Sequence, residues 1–584
     1  MPSLVVQDRA TAELATRNSP AATTPAAKAE KRSRRKSSLK TFFLPVTTKS
    51  PVVVSPEGTT VVGSLPEDIV REIVDRLQPN DILSFSLTST QLRRLLLPAL
   101  YDTVVLKSSR ACRTALFMFR EKRYLCRYIR KLAVRPNYYL AWPKPDDYLE
   151  EDWVADMLIG LSDDLTVLNT FDWDALELPP DRLWDSLSKR CPTLKSISTN
   201  IGRRNLHPDS SLFRFKGLTS FSLIARHGLP STSELLPIPE DLPDAFWDMI
   251  LNRCPDLEEL AICTFSPTTR LFDIDRIMEG SWPSLHSLTL GSFGYTNDYA
   301  LGPSTLVSEG TLSEFLEGHK GLKYLRFLWN FRHFMSPDSI VFTLPSNSLP
   351  ALTTFIGIYQ QLSNTPNPQT IETLDLTCEP IYESRMTAVC SILRGLPNLT
   401  SLEIWVHLFN SDSDHTNFFH SIMEACPKLT DFHFMCTNSF TAKPLKQLLS
   451  GLYLLPELKR FSLTKGHKYF DEPMLETAMK VVRQAPKVKQ INLRWARERC
   501  PNHLKQEGSY DVVCHEETRM PCALNVIEKG IALVGGPFFR QHQHTFNLGI
   551  GQPAEWQKTV SQKTKVVRKR VSSMLSIRQL ALNE

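Results

Sequence analysis

The sequence predicts an α/β chain: a short helical module near the N-terminus, then a solenoid of strand-plus-helix units, with irregular basic tails at both ends. Two observations carry this. Three apolar positions recur in the order Leu, two residues, Leu, one residue, Leu, often just after a proline. From Ile371 onward the first anchors fall at Ile371, Leu399, Leu429, Leu458 and Val488, in steps of 28, 30, 29 and 30 residues. Leu-x-Leu alternation turns every second side chain inward, the pattern of a half-buried strand. Between these strands, segments such as 245–251 and 418–423 return apolar residues every three or four positions, which is helical. A unit of one strand and one helix needs neighbours to cover its faces, so the units stack. A doubly wound α/β domain is the alternative, but it does not call for a Pro-x-Leu anchor at a near-fixed period.

The chain has 584 residues, too many for one ordinary compact domain and suited to several domains or a repeat array. Apolar content is 42% and charged content 22%, both ordinary for a globular chain with a large core. No window reaches 18 uninterrupted apolar residues, and the first residues lack a basic-then-apolar signal, so neither a membrane span nor a leader is expected. The 12 cysteines are sparse, and Cys191, Cys254 and Cys426 each precede a proline. This is not a disulfide framework. It points to a reducing compartment, the cytoplasm or the nucleus.

Residues 1–60 are rich in Ala, Thr, Ser, Pro and Lys and read as a disordered basic tail. They hold ten Lys/Arg against four acids, which accounts for the whole-chain charge of +6 and leaves the rest balanced. The run Lys31-Arg32-Ser33-Arg34-Arg35-Lys36 suits a solvated tail, a nuclear import signal or a contact with nucleic acid.

Residues 61–108 form the helical module. It opens at Leu65-Pro66, with Ile69, Ile73 and Leu77 at helical spacing. A break at Pro79-Asn80-Asp81 precedes a second apolar segment through Leu83, Leu87, Leu92 and Leu95, and a third begins at Pro98. Helices this short carry more apolar surface than about 45 residues can bury among themselves. The order of residues closely resembles an F-box. That resemblance implies docking on the Skp-type adaptor of a cullin ubiquitin ligase through Leu65, Pro66, Ile69, Ile73, Leu77, Leu83, Leu87, Leu95, Pro98, Leu100 and Tyr101. A small cap sealing the end of the solenoid is the structural alternative.

Residues 109–500 hold the repeats. Clear copies anchor at Leu257, Leu285, Leu399, Leu429, Leu458 and Val488, and looser ones at Leu194, Leu218, Leu322, Leu352 and Ile371. Two degenerate copies read Ile129-Leu132-Val134 and Leu165-Leu168-Phe171. The unit is that of a leucine-rich repeat, just past its usual length of about 20–29 residues. The chain thus resembles F-box proteins with leucine-rich repeats, most closely the divergent fungal kind. Where that family places an inward Asn or Cys after the strand, this chain has Phe265, Phe293, His407, Thr437 and Ala496. Residues 501–554 read as a C-terminal cap or extension. Residues 555–584 carry seven Lys/Arg against two Glu and read as a basic tail or a basic amphipathic helix from Val566 to Leu582.

No Walker loop, dinucleotide-binding glycine pattern or nucleophile elbow appears in a supporting context, so no catalytic residue, metal or cofactor is assigned. Cys500, His503, Cys514, His515 and Cys522 are atom types that suit zinc, but no Cys-x-x-Cys occurs among them. Trp329 and Phe331 suit core packing as well as a binding face. Strand alternation turns Leu402 and Ile404 inward, and so Glu403 and Trp405 toward the concave, solvent side. The same phase places His433, Met435, Ser462, Thr464, Asn492 and Arg494 there, a polar, aromatic and basic mixture suited to a protein substrate rather than to a phosphate backbone. The resemblance implies a substrate-recognition subunit of an SCF-type ligase. The alternatives are a leucine-rich-repeat scaffold without ubiquitin transfer and a nuclear nucleic-acid-associated factor using the basic tails.

Overall fold

The structure, a computed structural model, describes residues 67–548 except 138–147, 203, 205, 226–241, 265–271, 292, 295–308, 329–347, 363–366, 411–412, 439, 467–471, 499, 516–518 and 532–538. Both basic tails, Leu65, Pro66, Phe265, Trp329 and Phe331 lie outside the described residues.

The first described elements are α1 (Glu67–Val74), α2 (Pro79–Ser86) and α3 (Thr90–Tyr101). Pro79 opens α2 at a position whose N–H has no intrahelical partner anyway. Ser89 caps α3, its hydroxyl accepting from Leu92 N at 3.1 Å. The third segment does not begin at Pro98. That residue lies inside the last turns of α3, where apolar side chains on two faces of the helix hold it in place. On one face, Leu92 and Leu96 join Val70 and Val74 in a small buried cluster that Ile82, Phe85, Ala99 and Leu100 cover. On the other, Leu97 and Tyr101 pack against the main core, with Tyr101 edge-on to Phe119 at 6.2 Å.

That main core belongs to a sheet of 17 strands. Fourteen of them run parallel in chain order: β1 (Thr103–Leu106), β2 (Lys131–Val134), β3 (Thr170–Trp173), β4 (Ser196–Ile201), β5 (Ser220–Ala225), β6 (Glu259–Thr264), β7 (Ser287–Gly291), β8 (Tyr324–Leu328), β9 (Thr354–Ile356), β10 (Thr373–Tyr382), β11 (Ser401–His407), β12 (Asp431–Cys436), β13 (Arg460–Gly466) and β14 (Gln490–Arg497). One face of each strand is buried under the intervening segments. In the helix Thr416–Ala425, for example, Phe419, Ile422 and Met423 point inward at spacings of three and four.

The repeated proline motif is a turn from helix to strand. The anchor N–H donates to the carbonyl three residues before it: Leu194 to Cys191 at 3.1 Å, Leu429 to Cys426 at 3.2 Å, Leu458 to Leu455 at 3.2 Å. Proline thus occupies the second turn position, where its fixed φ fits. The first turn residue is buried, which is why burial pushes the Cys191 and Cys426 thiols up to about 12. Each strand starts two residues after its anchor. The two residues after each anchor donate together to one carbonyl of the preceding repeat, as Thr400 and Ser401 do to Glu372 O at 2.9 and 3.0 Å.

This frame corrects one repeat and adds another. Leu165 is a turn residue, its carbonyl accepting from Leu168 N at 3.2 Å. The anchor there is Leu168, with Phe171 and Trp173 as the buried strand pair, three residues later than the sequence phase. Tyr101, Val104 and Leu106 follow the same spacing into β1, so the solenoid starts inside the segment read as the helical module. The missing asparagine ladder is replaced at two points. Asn438, one position past the expected site, donates to Leu408 O at 2.5 Å, and Asn200 donates to Ala175 O at 3.2 Å and Asp174 Oδ1 at 2.7 Å.

After β14 the direction reverses. β15 (Cys500–Cys514), β16 (Pro521–Ile531) and β17 (Phe539–Asn547) add antiparallel to the last repeat strand. Tyr510 on β15 is fully buried, its hydroxyl donating to Glu528 Oε1 at 2.6 Å. The meander therefore covers the apolar end of the last repeat.

Two outcomes test this packing. Asn438→Ala leaves the buried Leu408 carbonyl without its side-chain donor and should cost about 1–3 kcal/mol, read as a lower denaturant midpoint. Leu96→Ala should cost about 2–5 kcal/mol, but from the small helical cluster alone. Limited proteolysis should then cut first within 67–100 while a fragment starting near β1 persists.

Candidate functional site

Two surfaces carry the residues that the sequence singled out. In the helical module, α1 divides its apolar side chains by helical phase. Val70 and Val74 are buried, whereas Ile69 and Ile73 are 44% and 36% exposed. In α2 and its C-cap, Ile82 and Phe85 pack inward, while Leu83 and Leu87 are 51% and 70% exposed. Four large apolar side chains that the fold does not use thus stand within 19 residues. Leu77 is half-buried. Leu95 and Pro98 line a groove of about 660 Å³ between the helices and the first repeats, which Arg127 and Tyr128 border from the far side. Leu100 and Tyr101 are partly buried: Leu100 covers the small cluster and Tyr101 packs against the main core as the anchor of β1. Val70, Val74 and Leu96 were not singled out by the sequence. Their signal was the i, i+4 spacing beside Ile69 and Ile73.

The second surface is the face of the sheet opposite the helices. In β11, burial alternates strictly: Leu402, Ile404 and Val406 are buried, and Ser401, Glu403, Trp405 and His407 are half-exposed. Parallel register aligns the candidates into two rows. Glu403, His433, Ser462 and Asn492 stand side by side, as do Trp405, Met435, Thr464 and Arg494. Hydrogen bonds join the first row in two pairs and tie it to the second. His433 Nδ1 meets Glu403 Oε2 at 2.8 Å and its Nε2 meets Thr464 Oγ1 at 3.0 Å. Asn492 Nδ2 donates to Ser462 Oγ at 3.5 Å, and Ser509 of β15 donates to Asn492 Oδ1 at 3.1 Å. Arg494 pairs with Glu507 at 3.3 Å. Thr464 keeps its place in the row but is only 2% exposed, so it supports His433 rather than meeting solvent.

Electrostatics differ along this face. The hydrogen bond from His433 holds the Glu403 carboxyl below its usual range, against the opposing effect of burial, and the His433, Arg494 and Arg326 charges act in the same direction as the bond. Its register neighbour Asp375 is pushed up, chiefly by burial and further by the Glu403 charge, against the pull of Thr377. Asp375 Oδ1 accepts from Thr377 N at 2.8 Å and from its hydroxyl at 2.6 Å.

Sequence reasoning missed the aromatic group at the far ends of β10 and β11. Tyr382 and Phe409 stack with centroids 5.8 Å apart and planes 20° apart, and His407 lies 5.1 Å from Tyr382 and 6.0 Å from Phe409. Tyr382 is 46% exposed and Phe409 64%. The pair is invisible to the repeat period because a register shift between Leu376 and Ile381 brings Tyr382 opposite His407.

Among the described residues no group of three His, Cys, Asp or Glu could hold a metal ion. Cys500 and Cys514 are the two ends of the 15-residue strand β15, about 45 Å apart at ~3.3 Å per residue. They cannot share one ion. No helix among the described residues is long and apolar enough to cross a membrane.

A sequence model of the F-box domain matches residues 63–97. No curated protein sequence matches the chain. Similar solved structures include yeast Rad7 in its complex with Elc1, at 13% identity and a TM-score of 0.33, covering 71% of this chain and 97% of that one. Another is from the TLR13–ssRNA13 complex, at 12% identity and a TM-score of 0.29, covering 64% and 58%. A third is the leucine-rich repeat domain of APL1B, at 14% identity and a TM-score of 0.20, covering 74% and 97%. At these values the repeat assignment stands on the chain's own parallel ladder. An F-box joined to a repeat array is the architecture of a non-enzymatic interaction protein. The chain carries an F-box domain at residues 63–97, and the helices there lead directly into a parallel solenoid of leucine-rich-repeat type.

Proposed function

We propose that this protein is the substrate-recognition subunit of an SCF-type cullin ubiquitin ligase in the cytoplasm or nucleus. The F-box docks on a Skp-type adaptor, and the open face of the repeats holds a protein substrate. The observation that carries the reading is the set of four apolar side chains, Ile69, Ile73, Leu83 and Leu87, left exposed in a matched F-box. An apolar surface of this kind is stabilised by a partner that removes it from water, at roughly 25 cal/mol per Å². The contribution to ubiquitin transfer is proximity: holding the substrate and the adaptor on one chain raises the effective concentration of the substrate. No catalytic group is required of this chain.

The test uses side chains on which the fold does not depend. Leu83→Asp with Leu87→Asp places two charges on the exposed side of α2 and should reduce adaptor recovery in native affinity purification to background. The thermal midpoint should stay within a few degrees, as expected for surface positions. Undiminished adaptor recovery by this variant contradicts the docking role of the F-box face. Recovery of adaptor without cullin from the unaltered chain contradicts the ligase and leaves a non-degradative scaffold.

A further inference from the structure

We propose that the substrate surface is the aromatic column formed by Trp405, His407 and Phe409 with Tyr382, and that its ligand is a basic, Arg- or Lys-bearing peptide segment. This names the substrate class within the receptor reading and rests on it.

Three observations meet at this place. The first is the exposed stack of Tyr382 on Phe409, two large rings that contribute nothing to the core. It continues along one strand face through His407 and Trp405 to Glu403.

The second is that the stack is held in place. His415 is fully buried, with Nδ1 3.0 Å from Glu383 Oε1 and Nε2 2.7 Å from the Asn410 carbonyl. Glu383 directly follows Tyr382, and Asn410 directly follows Phe409. One buried ring therefore ties the Asn410 backbone to the Glu383 side chain, the residues next to the aromatic pair. His415 N also donates to Gln447 Oε1 at 3.2 Å, and Gln447 donates to Asp414 at 2.8 Å, so the next repeat fixes the pin in turn. Exposed rings on a fixed base lose little freedom on binding, which is what an anchor for a partner requires.

The third is charge. Strands β10, β11 and β12 contain no Lys or Arg, and carry Asp375, Glu379, Glu403 and Asp431. The nearby strands hold the cations: Arg326 on β8, Arg460, which pairs with Asp431, and the buried Lys465 on β13, and Arg494, which pairs with Glu507, on β14. Asp375 and Glu403 stand opposite one another in register, like charges that Arg326 acts on from within the chain and that a further cation over the face would relieve. Aromatic faces beside carboxylates match a guanidinium or ammonium group, which gains from both ring and charge. An acidic or purely apolar peptide gains from only one or neither.

The experiment uses the full chain without adaptor and three pools of fluorescent random peptides, basic, neutral and acidic, read by polarisation. The basic pool should bind best. Tyr382→Ala with Phe409→Ala should weaken that binding about tenfold or more, and Glu403→Lys should reverse the order of the basic and acidic pools. Equal binding of all pools, or basic-pool binding unchanged in the double variant, overturns the proposal. Both rings are exposed, so a fold control by thermal melting should match the unaltered chain. Adaptor recovery is measured separately: its loss with peptide binding intact removes the ligase reading and keeps this surface, and the converse removes this surface alone.

Discussion

The turn that carries each helix into the next strand sets the geometry on which everything else depends. In most repeats its first residue is buried, proline or another residue holds the second position, and the anchor closes it with a hydrogen bond. The two residues after the anchor then donate to one carbonyl of the repeat before. Each repeat is thereby registered to its predecessor through backbone alone, whatever the outer side chains are. This leaves the open face under little structural constraint, so one half can hold a hydrogen-bonded polar row while the strand ends present aromatic rings. A partly absent asparagine ladder is tolerated for the same reason: Asn200 and Asn438 serve single loops, not a continuous column.

The same frame explains the junction. Tyr101 is both the last residue of α3 and the anchor of β1. A helix that gives Leu92 and Leu96 to one cluster and Leu97 and Tyr101 to another joins the F-box to the end of the solenoid. Capping and docking are therefore not competing roles. The solenoid takes one side of α3, and α1 and α2 keep their apolar remainder outward. A receptor that works by proximity gains from this arrangement, because slack between the two surfaces would dilute the substrate near its target.

At the other end the antiparallel meander seals the stack. Tyr510 and the buried strand residues Leu524 and Val526 cover the last repeat, so the sheet does not end on an apolar face. The hairpin also delivers Ser509 and Glu507 to the open face, where they satisfy Asn492 and Arg494. Two of the residues read as substrate contacts are thus already engaged within the chain. This shifts weight toward Trp405 and the exposed rings beside it.

The sequence by itself determined the repeat period, the parallel strands and the phase of each clear copy, because the Leu-x-x-Leu-x-Leu spacing states both which side chains turn inward and where the chain must turn. It also determined the F-box, whose order of apolar residues no simple cap requires. It misplaced Leu165 because a buried turn residue and a strand anchor are both leucine, and only backbone hydrogen bonding separates them. The tertiary structure alone decided which F-box residues stay outside, since Val70 and Ile69 are equally apolar and only packing against α3 distinguishes them. It alone buried Thr464 and joined Tyr382 to Phe409, which lie 27 positions apart in sequence and meet through a register shift and a buried histidine that no local pattern encodes.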